Sequence, residues 1–245
     1  MSSGGYSVVP VTGIPELRQG DDLAALIVER VELEDGDVVV VAQKAISKIE
    51  GRVVRLDTIE PSARAREIAG EEGDPRRIEA ILREAREVVR VRAPLVICET
   101  RQGFICASAG VDTSNAPEPG MLVLLPVDSD ASAARLRDAL RERTGRDVGV
   151  VVTDSFGRPW RQGTTDAAIG AAGVEVLRDL TGEQDPTGYE LRATVIAVAD
   201  EIAGAAELAM GKLARVPVAI LRGLDVRGEG RAVDIAIPAE RDLFR

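Results

Sequence analysis

The chain has 245 residues, and its 31 Lys or Arg against 41 Asp or Glu give a formal net charge of −10 at pH 7. A chain this acidic is a poor candidate for sequence-independent binding to nucleic acid or to an anionic membrane, because both need a basic footprint. Histidine does not occur in the sequence, which excludes Ser-His-Asp triads, histidine general bases and histidine-ligated zinc.

The first half of the chain mixes strands and helices. The four valines of Val38–Val41 indicate a strand that is buried on both faces. Gln43–Gly51 is polar and fits no single element, and Gly110–Gly120 predicts a loop. Further strands are predicted at Ser7–Val11, Arg52–Leu56, Leu95–Glu99, Phe104–Ala107 and Met121–Pro126, and helices at Asp21–Val31, Pro61–Gly70, Pro75–Val89 and Ser129–Arg143.

The second half continues without a regular strand–helix–strand repeat. An apolar strand is predicted at Val148–Thr153 and a loop at Ser155–Thr164, so that Asp154 lies at the end of the strand. Because the repeat is missing, we predict an α+β fold in one domain of residues 1–245, with a composition shift near Leu125–Ser129 as a candidate subdomain boundary. The remaining expectations are a strand-like Asp166–Val176, a long helix or a strand plus a helix at Ala193–Met210, and a strand at Val216–Arg222.

The sequence also indicates where the protein works. No apolar run approaches the roughly 20 residues of a membrane span, and the N-terminal sequence lacks the apolar core of a signal peptide. Cys98 and Cys106 flank a predicted hairpin turn and have no CxxC spacing, which predicts buried packing residues in a reducing compartment. We therefore expect a cytoplasmic protein without membrane contact.

Two strand-end segments carry acidic residues suited to hard cations. In Ser108–Asn115, Asp112 can ligate a cation and Asn115 can pair with a base or ribose, but on these residues alone an Asx-turn that satisfies their own backbone is the favoured interpretation. In the second segment, Asp154 and Ser155 follow the apolar strand and can hold a divalent cation.

The same second segment carries a group that could bind an anionic substrate. Arg158 and Arg161 flank Trp160, the one tryptophan of the sequence. Guanidinium groups suit phosphate or carboxylate, so a substrate-binding role is favoured over a core tryptophan beside solvated arginines.

Two further segments could contact a phosphate or another ligand. Lys44 and Lys48 are spaced i,i+4 and make a phosphate clamp as plausible as a charged surface face. The small residues of Asp200–Lys212 allow close ligand approach, although a buried helix followed by a glycine turn explains most of that segment. The glycine patterns of P-loops and dinucleotide-binding folds do not occur here.

At these residues the sequence resembles the coenzyme F420-0:L-glutamate ligase family, and the resemblance extends from Pro10 to the C-terminus. Several long motifs occur in the same order, which makes the match far more specific than any one motif. The matching segments are Pro10–Glu16, Lys44–Gly51, Ser108–Asn115, Asp154–Gly163, Ala199–Lys212 and Arg241–Arg245.

The resemblance implies a GTP-dependent ligase that uses Mg²⁺ or Mn²⁺ at two sites, often with a monovalent cation such as potassium. It implies an α+β fold of two subdomains, an intertwined homodimer and small-molecule substrates, namely F420-0, L-glutamate and GTP. Some relatives carry a fused flavin-binding domain, which is not expected here. Members add one glutamate or several through γ-linkages.

The resemblance also assigns residues. Asp112 and Asp154 bind one cation, Ser155 contacts the second, and Asp112, Asp154 and Lys48 are the catalytic residues. Relatives often carry hydroxyl residues at Ala42-Gln43, and some place an amide metal ligand at Lys212, which a protonated lysine cannot copy. The residues implied for GTP are Ile14, Pro15, Glu16, Leu17, Gln43, Lys48, Asn115, Met210, Gly211 and Lys212. The last three begin a loop that continues to Pro217.

Two alternatives from other function classes remain. One is another metal-dependent acid–amine ligase of the same fold, which a screen of acceptors would separate. The other is a non-catalytic nucleotide-binding module, which would bind GTP without ever forming GDP.

Overall fold

The computed structural model describes residues 5–243, so Phe244 and Arg245 of the terminal motif lie outside the described residues. Within this range the chain is a mixed α+β structure, as the sequence predicts. The helices are α1 (Leu23–Val28), α2 (Gln43–Ile49), α3 (Ala63–Ala69), α4 (Pro75–Glu84), α5 (Ser129–Thr144) and α6 (Val198–Met210). The strands are β1 (Ser7–Pro10), β2 (Val38–Ala42), β3 (Val53–Arg55), β4 (Ala85–Arg92), β5 (Leu95–Thr100), β6 (Ile105–Ala107), β7 (Met121–Val123), β8 (Gly149–Arg158), β9 (Arg161–Ala172), β10 (Arg178–Asp179), β11 (Val195–Ile196) and β12 (Val218–Arg222).

A five-stranded sheet in the order β1-β12-β2-β8-β9 forms the centre of the molecule. Strands β2 and β8 are parallel, and the other neighbours are antiparallel. Val38–Val41 are at most 2% exposed, which confirms the prediction of a strand covered on both faces. Helix α5 packs against β8 and β9, whereas α6 packs against β1, β2, β8, β9 and β12.

Two clusters of buried apolar side chains support the fold. The larger one joins the central sheet to α1, α5 and α6, and the smaller one lies among α3, α4 and the three-stranded sheet β4-β5-β6. Leu124 belongs to the smaller cluster and Leu125 to the larger one. None of the helices in residues 5–243 combines the length and hydrophobicity that a membrane-spanning helix needs.

Several elements follow the predicted pattern with shifted ends. Helix α1 begins after Asp22, whose carboxylate accepts from Ala25 N–H, and α5 begins after Asp128, which caps Ala131 N–H in the same way. Segment 43–51, which the sequence left open, forms α2 directly after β2. The apolar segment 193–210 is a short strand followed by α6, one of the two predicted forms.

Two predictions of local structure are wrong. The helix expected at Pro75–Val89 ends at Glu84, because the valines that follow suit a strand and pair with β5. The loop expected at Ser155–Thr164 is a hairpin, in which β8 continues to Arg158 and β9 begins at Arg161. Its glycines and Pro159 suggest a loop, but the cross-strand pairing extends almost to the turn, so Asp154 lies within a strand and not at its end.

Candidate active site

A cavity of about 780 Å³ lies beside the central sheet where β2 passes into α2. The parallel register places Ala42 beside Thr153, which brings the start of α2 next to Asp154. The loops before α1 and after α6 complete the wall. The lining residues are Ile14, Pro15, Glu16, Leu17, Ala42, Gln43, Lys44, Ala45, Lys48, Asn115, Ala116, Pro117, Thr153, Asp154, Ser155, Asp166, Glu207, Met210, Gly211, Lys212, Leu213, Arg215, Val216 and Pro217.

The cavity collects most of the predicted site residues from distant parts of the chain. All ten residues implied for GTP line it, together with Asp154 and Ser155. Asp112, Arg158, Trp160 and Arg161 are not part of the wall.

All three lysines of the sequence, Lys44, Lys48 and Lys212, line this cavity. The 31 basic residues are otherwise arginines. A lysine ammonium is a compact point charge that binds phosphate. The sequence shows that lysine is rare in this chain. Only the structure shows that all three lysines converge on one cavity.

Lys44 connects the cavity to Asp112. Its ammonium forms an ion pair with the Asp112 carboxylate and donates to the carbonyl of Ser114 (2.8 Å) and to the Ser114 hydroxyl (2.6 Å). Burial tends to raise the pKa of Asp112, but hydrogen bonds from Lys44 and Ser114 outweigh it and hold that pKa well below its usual range. Asp112 is therefore an anion that Lys44 already neutralises.

Asp154 has the opposite electrostatic character. Burial raises the pKa of its carboxyl to about 7, and the neighbouring Asp166 adds to the shift. A hydrogen bond from the Ser155 backbone and the charges of Lys44 and Lys212 act against it. Further positive charge near Asp154 would therefore stabilise the ionised form of its carboxyl group.

Asp166 is a site residue that the sequence analysis missed. It is 6% exposed and lies directly opposite Ser155 in the β8–β9 register. Its carboxylate accepts from the Ser155 hydroxyl at 2.7 Å and from the Thr153 hydroxyl at 3.0 Å. The sequence analysis places Asp166 at the start of a strand-like segment, but the loop predicted at Ser155–Thr164 hid its pairing with Ser155 across the hairpin.

Two other lining side chains are already engaged. Lys48 forms an ion pair with Glu16, which joins α2 to the loop that precedes α1. The Gln43 side-chain amide donates to the Ser47 hydroxyl (2.6 Å) and to the carbonyl of Leu124 (2.9 Å). The N–H groups of the Gln43 side chain therefore serve the protein interior.

The predicted substrate-binding group lies at the turn of the β8–β9 hairpin. Arg158 and Arg161 lie opposite each other in the backbone register of β8 and β9. Trp160 between them has a φ of 56° and is 84% exposed. This position rules out the alternative in which Trp160 fills the core.

The donor set at the cavity fits a divalent cation that also binds phosphate. No group of three or more Asp, Glu or Cys side chains within residues 5–243 is spaced to enclose a metal ion. However, Mg²⁺ in phosphate-transfer sites uses only one or two carboxylates and takes its other ligands from water and phosphate. Asp154 with the Ser155 hydroxyl matches that pattern, and Asp112 is linked to Asp154 through Lys44.

The two cysteines are buried thiols, as predicted. They face each other across β5 and β6. Burial raises the pKa of Cys98 to about 11 and that of Cys106 to about 12, the latter also through the charges of Asp154 and Cys98. Both thiols are therefore protonated and weak nucleophiles at neutral pH.

The sequence is also similar to those of known proteins. Residues 13–223 match the family model described as F420-0:Gamma-glutamyl ligase. Among similar proteins, the coenzyme F420:L-glutamate ligase of Methanopyrus kandleri is 47% identical over 99% of this chain and 100% of its own length. The proteins of the same name from Archaeoglobus fulgidus (45% identity, 97% of this chain and 96% of the relative) and Haloarcula marismortui (44%, 97% and 95%) are similar to it as well.

Proposed function

The chain belongs to the F420-0:gamma-glutamyl ligase family, and we propose that it joins L-glutamate to coenzyme F420-0 through an amide bond at the expense of GTP. The observation that carries this proposal is the convergence of all three lysines and the predicted nucleotide-binding segments on one cavity. Lysine ammonium groups bind phosphate. Because the carboxylates of Glu16, Asp154, Asp166 and Glu207 line the same cavity, a nucleoside triphosphate suits it together with a divalent cation.

The chemistry follows from the weak reactivity of a carboxylate towards an amine. In the first step, a carboxylate oxygen of F420-0 attacks the γ-phosphorus of GTP, the bond to the β-phosphate oxygen breaks, and an acyl phosphate and GDP form. In the second step, the glutamate amine attacks the acyl carbon, inorganic phosphate leaves with the electron pair of the C–O bond, and the amine loses a proton. Such transfers depend mainly on positioning and charge neutralisation, so a protein without histidine can catalyse them.

The predicted site residues have separate roles in this scheme. Lys48 and Lys212 bind the phosphates, and Asn115, which has a φ of 54°, binds the base or ribose. Asp112, Asp154 and Ser155 would hold Mg²⁺ or Mn²⁺. A bound divalent cation would supply positive charge for the phosphate oxygens. This assignment keeps the two carboxylates close to Lys44, whose charge acts on both.

We assign the acceptor to the hairpin turn. Arg158 and Arg161 present guanidinium groups to solvent, and Trp160 offers an exposed aromatic face. F420-0 carries a phosphodiester and a carboxylate, which planar guanidinium donors suit. Replacing both arginines with Gln should raise the KM for F420-0 while leaving the KM for GTP unchanged.

The direct test of the function is mass spectrometry of F420-0 after incubation with the protein, GTP, Mn²⁺ and L-glutamate. The proposal predicts products heavier by one or more glutamyl units, with one GDP and one phosphate for each bond. An Asp154→Asn protein and a reaction without GTP serve as controls. An unchanged F420-0 mass would reject this acceptor, and GTP binding without GDP formation would support a non-catalytic role. Comparing the rates with and without added potassium tests the role of a monovalent cation. The mass of the product gives the number of glutamates added.

The quaternary structure is proposed on the same basis. We propose a homodimer built from two α+β subdomains in each chain, in accord with the two separate clusters of buried apolar side chains. Light scattering during gel filtration should give twice the chain mass of 26.0 kDa, and a mass of one chain would reject the dimer.

A further inference from the structure

The side chains of Ser155 and Asp166 form a fixed pair on the cavity wall. They are direct neighbours in the register of β8 and β9, and the Ser155 hydroxyl lies 2.7 Å from a carboxylate oxygen of Asp166. The other carboxylate oxygen accepts from the Thr153 hydroxyl at 3.0 Å. Asp166 is therefore held from two sides on a single strand face and is itself nearly inaccessible, at 6% exposure.

This pairing decides which way the Ser155 hydroxyl can act. A carboxylate only accepts hydrogen bonds, and a serine hydroxyl has a single proton. Because Ser155 donates that proton to Asp166, the lone pairs of its oxygen remain for another partner. In this arrangement Ser155 is a ligand for a positive centre and cannot donate to a phosphate.

We propose that Asp166 is a positioning residue, which orients the Ser155 oxygen as a ligand for the divalent cation bound with the nucleotide. The inference rests on the proposed function, because it takes the cation from there. It adds a residue outside the set that the sequence resemblance implies. Partners that orient metal ligands in this way typically change metal affinity by about 10- to 100-fold when they are replaced.

An asparagine at position 166 tests the proposal with little change of shape. Ser155 and Thr153 donate to different carboxylate oxygens of Asp166, and the Asn amide has an NH₂ group in place of one of them, so one of the two hydroxyls loses its acceptor. If its NH₂ group faces Ser155, it donates to the oxygen and occupies a lone pair that the cation needs. If its oxygen faces Ser155 instead, the NH₂ group donates to Thr153, whose hydroxyl can turn to the Ala167 carbonyl at 3.2 Å. Ser155 then donates to a neutral amide, which is a weaker acceptor than a carboxylate. Asp166→Asn should therefore weaken Mn²⁺ binding about 10- to 100-fold. Electron paramagnetic resonance of free Mn²⁺, in the presence of a non-hydrolysable GTP analogue, measures this affinity without any turnover.

Asp200 offers a matched control. Its carboxylate accepts from the backbone N–H of Ala168 at 2.8 Å, so it also holds strand β9, but it does not line the cavity. Asp200→Asn should lower the thermal stability and leave the Mn²⁺ affinity at the wild-type level. A merely structural role for Asp166 would instead make the two variants behave alike.

A double-mutant cycle shows whether Asp166 acts through Ser155. In a Ser155→Ala background, Asp166→Asn should cause little further loss of Mn²⁺ affinity, since the oxygen to be oriented is gone. An equal loss in both backgrounds, or an unchanged affinity in Asp166→Asn, would overturn the inference and leave the proposed function intact. If the wild-type protein binds no Mn²⁺, the cation of the proposed function and this inference are both wrong. If Mn²⁺ binding behaves as expected but F420-0 is never extended, the inference holds and the proposed acceptor is wrong.

Discussion

Lys44 and Asp112 form an ion pair across 68 positions of sequence and join the loop before β7 to the first turn of α2. The charge of the same ammonium opposes the rise in the pKa of Asp154 that burial causes. Two carboxylates from separate segments are therefore brought into the range of one positive charge. This relationship underlies the predictions about the cation.

Replacing Lys44 with Met should expose the dependence of Asp112 on a neutralising charge. The half-buried carboxylate would lose its partner, which should cost about 1–3 kcal/mol of stability without divalent cations. Because Mn²⁺ would then meet an unpaired carboxylate, it should raise the melting temperature more in Lys44→Met than in the wild type. Differential scanning calorimetry with and without Mn²⁺ measures both effects, and equal Mn²⁺ shifts would remove Asp112 from the cation site.

Amine labelling should report nucleotide binding at the three lysines. Because Lys44, Lys48 and Lys212 all line the cavity, bound GTP should slow reductive methylation at each of them. Peptide mass spectrometry after brief labelling, with and without GTP and Mg²⁺, gives the protection at each position. A lysine-containing reference peptide added to the reaction serves as the control, because its labelling should not change. Protection that is missing at all three lysines would place the nucleotide elsewhere.

Two glycines should respond oppositely to alanine. A Cβ added at Gly170 on β9 would lie 2.3 Å from the Ser129 carbonyl oxygen. A Cβ added at Gly204 in α6 would have the Thr165 hydroxyl oxygen as its nearest neighbour, at 3.7 Å. Gly170→Ala should cost about 1–3 kcal/mol through overpacking. Gly204→Ala should be neutral or stabilise by up to about 1 kcal/mol through helix propensity. Urea denaturation compares them, and similar midpoints for both variants would contradict the packing described here.

The cysteines should be unreactive over a wide pH range. Since burial raises the pKa of Cys98 to about 11 and of Cys106 to about 12, the folded protein should react slowly with iodoacetamide from pH 7 to 10. The unfolded chain should instead react faster as pH rises through the ordinary thiol pKa of about 8.5. The thiols thus favour the folded state below that pH, and this contribution is lost as pH rises towards their folded values. Rapid labelling of the native protein at pH 8 would show that the thiols are accessible.

The sequence predicted the elements whose local signals agree with their packing. Val38–Val41 is apolar throughout and lies in the centre of the sheet, and helix α5 carries its own cap at Asp128. The prediction failed where pairing between strands decides the structure. The polar, glycine-containing stretch after Asp154 has the composition of a loop, but it forms a hairpin because β8 pairs with β9.

The site shows the same division. Asp154 and Ser155 stand out because they follow an apolar run, and the family resemblance supplied most of the cavity wall. Asp166 became visible only through the hairpin register. Lys44 was predicted as part of a phosphate clamp with Lys48, but its ion pair with Asp112 emerged only from the structure. Both depend on contacts between segments that spacing along the chain does not reveal.

The most direct test of this account is anomalous diffraction from crystals of the protein grown with Mn²⁺ and a non-hydrolysable GTP analogue. The account predicts a Mn²⁺ peak in direct contact with carboxylate oxygens of both Asp112 and Asp154, with phosphate oxygens among its other ligands. A Mn²⁺ ion bound to other residues, with Asp112 still paired only to Lys44, would contradict it.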